Sequence, residues 1–300
     1  MELKHQKLVV IVGPTAVGKT ALAIALAQHF ETEIISADSR QIFKELTIGT
    51  AKPDQDQLAS VRHHFINSHS IQDDFDAARF GREALTSIHE LFQNHDVVVM
   101  CGGSGLYVKA VCEGFDEIPD IPEEVRAELV SHYNKAGIAW LQDRMKDLDP
   151  KLFATIDQQN PQRLMRALEV KIGTGLSISE FRKNAKLEHP FQIIKIGLEL
   201  DREVLYHRID TRMDSMVEQG LFTEARALYP FRPHNALQTV GYQEIFDFID
   251  GHVDRAEAIR LLKRNSRRYA KRQLTWFKRD PEIRWFKPDQ LEEIVAHINA

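Results

Sequence analysis

The sequence has few cysteines and no long apolar segment. Cys101 and Cys112 are the only cysteines in 300 residues, too few for a disulfide framework and without the spacing of a zinc site. No apolar run approaches the roughly 20 residues that a membrane-spanning helix needs. Residues 1–5 lead directly into an apolar, strand-like run, which leaves no room for a signal peptide. These absences predict a cytoplasmic protein with no membrane partner.

Net positive charge is also missing overall, although one segment concentrates it. Lys and Arg number 39 against 44 Asp and Glu, a formal net charge of −5, which argues against general nucleic-acid binding. Residues 260–279, however, contain nine Lys and Arg and no acid. Four of these cations share one helical face: Arg260, Arg264, Arg267 and Lys271. This basic stripe predicts a contact with a phosphate backbone, and a solvated helix face is the alternative.

The most informative pattern is a glycine loop near the amino terminus. It matches G-x-x-x-x-G-K-[ST] at every fixed position, with the residues Gly13, Pro14, Thr15, Ala16, Val17, Gly18, Lys19 and Thr20. An apolar run precedes the loop and helical periodicity follows it, which is the context of a phosphate site. Lys19 is expected to reach the outer phosphate oxygens, and Thr20 is a candidate Mg²⁺ ligand. Any diphosphate fits this pattern.

Strands and helices alternate over the first 115 or so residues, and the pattern then changes. Strands are predicted at 8–12, 33–36, 96–101 and 191–198, and helices at 19–30, 76–94, 104–112, 201–219 and 254–278. Residues 117–190 show helical patterns only. We therefore expect the α/β class, with a P-loop NTPase-like parallel sheet flanked by helices over 1–116 and 191–300. The stretch 117–190 is expected to form an inserted all-helical domain.

Two further turns follow predicted strands. Asp38 comes directly after the second strand, beside the phosphate loop of a parallel sheet, where a carboxylate is a general base, a Mg²⁺ ligand or only a turn cap. The third strand ends in Cys101, Gly102 and Gly103, at the position where a nucleotide hydrolase usually has a Mg²⁺-binding acid. That departure weakens an ATPase or GTPase interpretation, and a plain turn is the alternative there.

Taken together and in order, these segments resemble the bacterial tRNA dimethylallyltransferases, which prenylate N6 of the adenosine 3′ to the anticodon. The phosphate loop and the Asp38–Gln41 segment both match motifs of that family. The other matching segments are G-G-[ST]-x-L-Y at 102–107, Q-R-L-x-R-A-L-E at 162–169, and late motifs at 240–243 and 271–276. The resemblance extends from Leu8 to Phe277, nearly the whole chain.

The resemblance implies a reaction and the groups that perform it. Dimethylallyl diphosphate would bind the phosphate loop, and the acceptor would be adenosine 37 in the anticodon stem-loop of tRNA. Asp38 would take the proton from N6, while Lys19, Thr20, Arg226 and Mg²⁺ would hold the leaving diphosphate. Ser104, where the family usually has Thr, would contact the tRNA or the bridging oxygen. A monomer is expected.

The resemblance also implies a set of tRNA contacts spread along the chain. They are Asp38, Ser39, Arg40, Gln41, Ser104, Arg126, Gln162, Arg163, Leu164, Met165, Arg166, Gly241, Tyr242, Gln243, Lys271, Arg272, Gln273 and Trp276. Arg163 and Arg166 are three residues apart on a predicted helix and share a face, as clamping a loop requires. Because the target adenine lies in a stacked loop, it must be flipped out of the stack before it reacts.

Three other interpretations remain open at this point. A small-molecule kinase would use the same loop for ATP and would not need the basic stripe. An isopentenyltransferase that acts on free adenylate would share the phosphate site without the helical insertion. A non-enzymatic RNA-binding module is the third, and the phosphate loop argues against it.

Overall fold

The computed structural model describes residues 6–116, 118–182 and 187–300. Residues 1–5, on which the expectation of no signal peptide rests, and Glu117, at the predicted start of the insertion, lie outside these ranges. Within them, no helix is both long enough and apolar enough to span a membrane.

Six parallel strands form one sheet within the described ranges, in the order β3-β2-β4-β1-β5-β6. They are β1 (Lys7–Val12), β2 (Ile34–Ser36), β3 (His63–His64), β4 (Val97–Cys101), β5 (Gln192–Leu198) and β6 (Arg284–Phe286). The predicted α/β class with a parallel sheet is confirmed. Strands β3 and β6 are not predicted from the sequence, because two or three residues are too short to show a strand period.

All five helices predicted outside residues 117–190 are present, and the described residues form four further helices there that the sequence did not predict. The helices of both regions are α1 (Lys19–His29), α2 (Gln55–Ser60), α3 (Ala77–Leu91), α4 (Gly105–Cys112), α5 (Glu123–Leu148), α6 (Pro150–Phe153), α7 (Pro161–Thr174), α8 (Ile178–Phe181), α9 (Arg202–Glu218), α10 (Leu221–Leu228), α11 (Gln243–Ile249), α12 (Arg255–Phe277) and α13 (Leu291–Asn299). Short 3₁₀ turns occupy Ile48–Thr50, Tyr229–Phe231 and Asn235–Leu237. Gly137 interrupts α5 with a φ of +70°.

The sequence of strand β1 is a continuous apolar run because both faces of the strand are buried. Val9 and Ile11 are fully buried in one core with residues of α1 and α9. The alternate residues Leu8 and Val10 are fully buried in a second core with residues of α3 and α4. Helices therefore cover both faces of the sheet, and both sets of strand side chains must be apolar.

The chain divides into two compact units. One contains Met1–Glu113 and Leu187–Ala300, and the other, which we call the helical unit, contains Gly114–Lys186. The expected limits of the insertion, 117 and 190, differ from these by three and four residues. The helical unit has its own core around Leu141 and Leu168. The Asn160 side chain caps the start of its helix α7 by accepting the N–H of Arg163 at 3.2 Å.

Candidate active site

A cavity of about 310 Å³ lies in the unit that contains the sheet, and residues that follow β1, β2 and β4 line it. Five residues of the predicted phosphate loop line it: Thr15, Ala16, Gly18, Lys19 and Thr20. The remaining three, Gly13, Pro14 and Val17, are buried and do not line the cavity. The structure thus brings the phosphate loop and the ends of two other strands to one cavity, as expected for ligand sites in parallel sheets.

The backbone of the loop explains its glycines. Gly13 has a φ of +144°, and a Cβ there would lie 2.7 Å from the carbonyl oxygen of Leu198. Gly18, with a φ of +115°, directly precedes α1. Ala16 also lies in the left-handed region, at +64°, a conformation that costs free energy for a residue with a Cβ. The loop therefore holds a tight turn around the cavity at the start of a helix.

Lys19 is the principal cation of the loop. Its ammonium donates to the carbonyl oxygen of Pro14 at 2.8 Å. Burial lowers the pKa of Lys19 to about 8, while Cys101 and Asp38 act in the opposite direction. The same burial raises the pKa of the Cys101 thiol to about 11, so this cysteine is a poor nucleophile near neutral pH.

Asp38 lines the cavity and is also held by its own turn. Its Oδ1 accepts the N–H of Arg40 at 2.9 Å and that of Gln41 at 3.3 Å. None of the described residues hydrogen-bonds its Oδ2. The turn-cap alternative is therefore correct for one oxygen, and the carboxylate still lines the cavity that contains Lys19.

The glycine turn after β4 packs against the Asp38 turn. A Cβ on Gly102 would lie 2.0 Å from the carbonyl oxygen of Ala37, so the two backbones approach too closely for any side chain. The Ser104 hydroxyl accepts the N–H of Ser39 at 2.9 Å and donates to the Ser39 hydroxyl at 3.1 Å. Ser104 does not line the cavity itself; it holds the residue next to Asp38.

Gln273 of α12 joins the phosphate loop to the glycine turn. It is buried, with 6% of its surface exposed. Its Oε1 accepts the N–H of Thr15 at 2.8 Å, and its Nε2 donates to the carbonyl oxygen of Gly103 at 2.9 Å. Both ends of its amide are therefore used to position two loops. Gln273 also lines the cavity, and its expected contact with tRNA stays a prediction.

Two arginines of α9, Arg208 and Arg212, hydrogen-bond to the phosphate loop, and the expected Arg226 is not one of them. Arg226 is an exposed residue of α10 and does not line the cavity. Arg212 lines it and donates to the Thr15 hydroxyl at 3.3 Å. Burial lowers the pKa of Arg212, and Asp38 acts against that shift. The expectation for Arg226 fails because α10 presents that side chain to solvent.

The expected tRNA contacts of the helical unit separate into surface and core residues. Gln162 and Arg163 are exposed, whereas Leu164 and Met165 are buried in the core of the unit, so side-chain contacts from these two are wrong. The motif mixes both kinds because successive residues of a helix face different directions. Arg126 and Arg166 are partly exposed, and both pair with the buried Glu169, at 3.1 and 3.2 Å.

The late motifs separate in the same way. Tyr242 is fully buried, so the expected tRNA contact from its ring is wrong. Gly241 lines the cavity, and Gln243 is exposed, with its amide donating to Gln238 at 2.8 Å. In α12, Lys271, Arg272 and Trp276 are exposed.

The basic stripe is more neutralised than its sequence suggests. Arg260 pairs with Glu257 of its own first turn at 2.6 Å. Arg267 pairs with Asp210 of α9 at 2.5 Å. Residues 260–279 contain no acid, but neighbouring segments supply the carboxylates, which a search within the segment cannot reveal. Within the described ranges, Lys271 and its neighbours Arg268 and Arg272 have no acidic partner.

Comparisons with known proteins agree with one another. The IPP transferase family model matches residues 41–280. A tRNA dimethylallyltransferase from Cytophaga hutchinsonii is 52% identical over 300 residues, covering 100% of this chain and 99% of that protein. One from Christiangramia forsetii is 53% identical over 283 residues, covering 94% of each chain.

A solved structure gives the same answer for the fold. The full-length tRNA isopentenylpyrophosphate transferase from Bacillus halodurans is similar to this chain with a TM-score of 0.71 at 40% identity. The similarity covers 98% of this chain and 95% of that one. Because the family model matches most of its length and similar relatives extend over all of it, the chain belongs to the IPP transferase family.

Proposed function

We propose that this protein transfers the dimethylallyl group of dimethylallyl diphosphate to N6 of adenosine 37 in tRNA. One observation carries the proposal: a single cavity combines a phosphate loop, a carboxylate and apolar side chains. The relatives named tRNA dimethylallyltransferase support the same donor and acceptor. A kinase site also combines a phosphate loop with a carboxylate, so the apolar side chains are the feature of the three that favours a prenyl donor.

The donor site is the cationic part of the cavity. Lys19, Arg40 and Arg212 line it against the single carboxylate of Asp38, an excess of positive charge that suits a diphosphate. Charge-assisted hydrogen bonds of this kind are about twice as strong as neutral ones. Met213, Met216 and Val240 line the same cavity and provide apolar surface for a five-carbon chain.

The reaction forms one bond and breaks another. The N6 nitrogen of adenine attacks C1 of the dimethylallyl group, and the bond from C1 to the diphosphate oxygen breaks. Asp38 accepts the proton that N6 loses, with its Oδ1 held by two backbone N–H groups. Lys19, Arg212 and the loop backbone stabilise the negative charge that develops on the leaving diphosphate.

Magnesium fits the oxygen groups of the cavity. The Thr20 hydroxyl and the Asp38 carboxylate both line it, and such oxygens, together with substrate phosphates, are what Mg²⁺ prefers. No cluster of three or more His, Cys, Asp or Glu side chains suited to a metal occurs within the described ranges, so the ion would depend on the diphosphate for most of its ligands. A bound Mg²⁺ would neutralise part of the diphosphate charge.

The acceptor enters as a flipped base, since duplex-like stacking would hide N6. We propose that Arg40 and Gln41 contact the nucleotide at the cavity, and that the exposed cations of α12, Arg268, Lys271 and Arg272, bind the RNA backbone. Arg126, Gln162, Arg163 and Arg166 of the helical unit would hold the rest of the anticodon stem-loop. Arginines suit this task because their fork matches phosphate geometry.

The test is transfer of label from dimethylallyl diphosphate to three acceptors: tRNA, AMP and ATP. Transfer to tRNA alone is the expected result. Transfer to AMP or ATP would instead identify an enzyme of free adenylate. Steady hydrolysis of ATP coupled to phosphorylation of a metabolite would identify a kinase and overturn the proposal.

A further inference from the structure

The carboxylate of Glu224 in α10 hydrogen-bonds to the backbone of a turn that forms one wall of the cavity. Its Oε2 accepts the N–H groups of Thr47 and Ile48, at 3.2 and 2.8 Å. Its Oε1 accepts the N–H of Gly49 at 2.9 Å and the hydroxyl of Tyr242 at 2.7 Å. One carboxylate thus fixes three consecutive backbone groups at the start of the 3₁₀ turn Ile48–Thr50, where no intrahelical acceptor exists.

Tyr242 supports the same turn from beneath. A Cβ on Gly49 would lie 2.6 Å from Cζ of the Tyr242 ring, so the backbone of the turn rests directly on the ring. Burial, followed by the charge of Glu224, raises the pKa of Tyr242, which keeps its hydroxyl a donor. The turn is therefore held on two sides, and Gly49, Thr50 and Ala51 line the cavity.

The far end of the turn is connected to Asp38. The side-chain amide of Gln41 donates to the carbonyl oxygens of Thr50 and Ala51, both at 3.1 Å. The backbone N–H of the same Gln41 donates to Oδ1 of Asp38 at 3.3 Å. A continuous series of hydrogen bonds therefore leads from Glu224 through residues 47–51 and Gln41 to the carboxylate that lines the cavity.

We propose that Glu224 is a positioning residue for prenyl transfer, which acts on Asp38 through the 47–51 turn and Gln41. The proposal rests on the proposed function, in which Asp38 takes the N6 proton. Glu224 does not line the cavity, so it touches neither substrate. The phosphate loop takes no part in the series, which separates an effect on the acceptor side from an effect on the donor.

The test is a double-mutant cycle of Glu224→Gln with Gln41→Ala, measured as kcat for tRNA prenylation. Glu224→Gln keeps the side-chain volume but replaces an acceptor oxygen with an NH₂ group facing other donors. We expect it to lower kcat roughly tenfold in the native background and less than about twofold in the Gln41→Ala background. The KM for dimethylallyl diphosphate should stay within about twofold throughout. Thr223→Ala, an exposed neighbour on α10, is the matched control and should leave kcat unchanged.

Two results would overturn the inference while leaving the proposed function intact. One is an unchanged kcat in Glu224→Gln when the native protein is active. The other is an additive cycle, in which the variant costs the same in both backgrounds, because a purely structural glutamate would act independently of Gln41. If Glu224→Gln does not fold, Tyr242→Phe removes only one of the four donors. It should lower kcat about twofold to threefold, with the same loss of effect in the Gln41→Ala background.

Discussion

The cavity and the exposed side of α12 that contains Lys271 and Arg272 both carry positive charge, but the cations of the two regions differ in their exposure to solvent. In the cavity, burial lowers the pKa values of Lys19, Arg40 and Arg212, and the charge of Asp38 acts against that shift in each of them. On α12, Lys271 and Arg272 are exposed to solvent. Charges of the first kind are little screened by salt, whereas charges of the second kind are screened within about 8 Å at physiological ionic strength.

The two regions should therefore contribute to different steps. The cavity offers fixed groups around a reacting centre, which affect the rate of the chemical step. The exposed cations of α12, which we propose bind the RNA backbone, should affect binding and its dependence on salt. Substitutions that separate rate from binding test this division.

The largest expected effect is that of Asp38→Ala. Losing a positioned general base should lower kcat by roughly 10²–10⁴. The Kd for tRNA should change little, because we propose that other residues bind the backbone phosphates. The measurement is kcat at saturating substrates beside a filter-binding Kd. Near-normal turnover would remove Asp38 from the mechanism.

The next effect concerns the proton of Lys19. Because burial lowers its pKa to about 8, the free protein loses this ammonium as pH rises above that value. Relative to Lys19→Arg, whose guanidinium does not titrate, the affinity for dimethylallyl diphosphate should fall about tenfold per pH unit above pH 8. Calorimetric titration across pH 7–10 measures it. A constant ratio between the two proteins would mean that Lys19 does not contact the diphosphate.

The lowered pKa of Lys19 also makes the free energy of unfolding depend on pH. Between about 8 and the ordinary value of 10.5, the unfolded chain binds a proton at Lys19 that the folded chain has released. Stability attributable to this group therefore rises as pH rises through that window and is lowest below it. The Lys19→Arg variant should lack this contribution in thermal unfolding at each pH.

A moderate effect is expected for Gln273→Ala. The variant frees the N–H of Thr15 and the carbonyl oxygen of Gly103, and each lost hydrogen bond costs about 1 kcal/mol. The KM for dimethylallyl diphosphate should rise about fivefold to thirtyfold, while the KM for tRNA stays nearly constant. A rise confined to the KM for tRNA would restore the direct RNA contact that the sequence suggested.

The smallest effect should appear on the face of α12. Replacing Lys271 and Arg272 with Gln should flatten the slope of log K against log [salt] for tRNA by about 1–2 units. The matched control is Arg260→Gln with Arg267→Gln, whose cations already have acidic partners; it should change the slope by less than about half a unit. Equal effects of both pairs would show that ion pairing within the protein does not distinguish the two halves of α12.

Much of this fold could be predicted from the sequence, because its signals are local. The strand at 8–12 and the phosphate loop that follows it have a fixed spacing, and the glycines are required by backbone angles that few other residues adopt. Asp38 follows a strand, and the ends of parallel strands meet at one edge of a sheet. Fold class and the phosphate side of the cavity follow from these facts alone.

The remainder depends on packing that the sequence does not display. The sequence alone does not distinguish Arg212 from the other arginines of α9. Which side of that helix faces the cavity depends on its packing, in which Met213 and Met216 are buried and line the cavity beside Arg212. Tyr242 belongs to a matching motif, but it is buried beneath Gly49. A motif marks residues that a family retains, without separating those that touch substrate from those that hold the wall.

We propose that the cavity transfers a dimethylallyl group to the N6 nitrogen of one adenosine. The most direct test incubates the protein with labelled dimethylallyl diphosphate and two anticodon stem-loops, one with adenosine and one with N6,N6-dimethyladenosine at position 37. We predict label on the first RNA, located at N6 of that nucleotide by mass spectrometry, and none on the second. Label on the blocked RNA, or at any other atom of the first, would show that N6 is not the nitrogen that this protein prenylates.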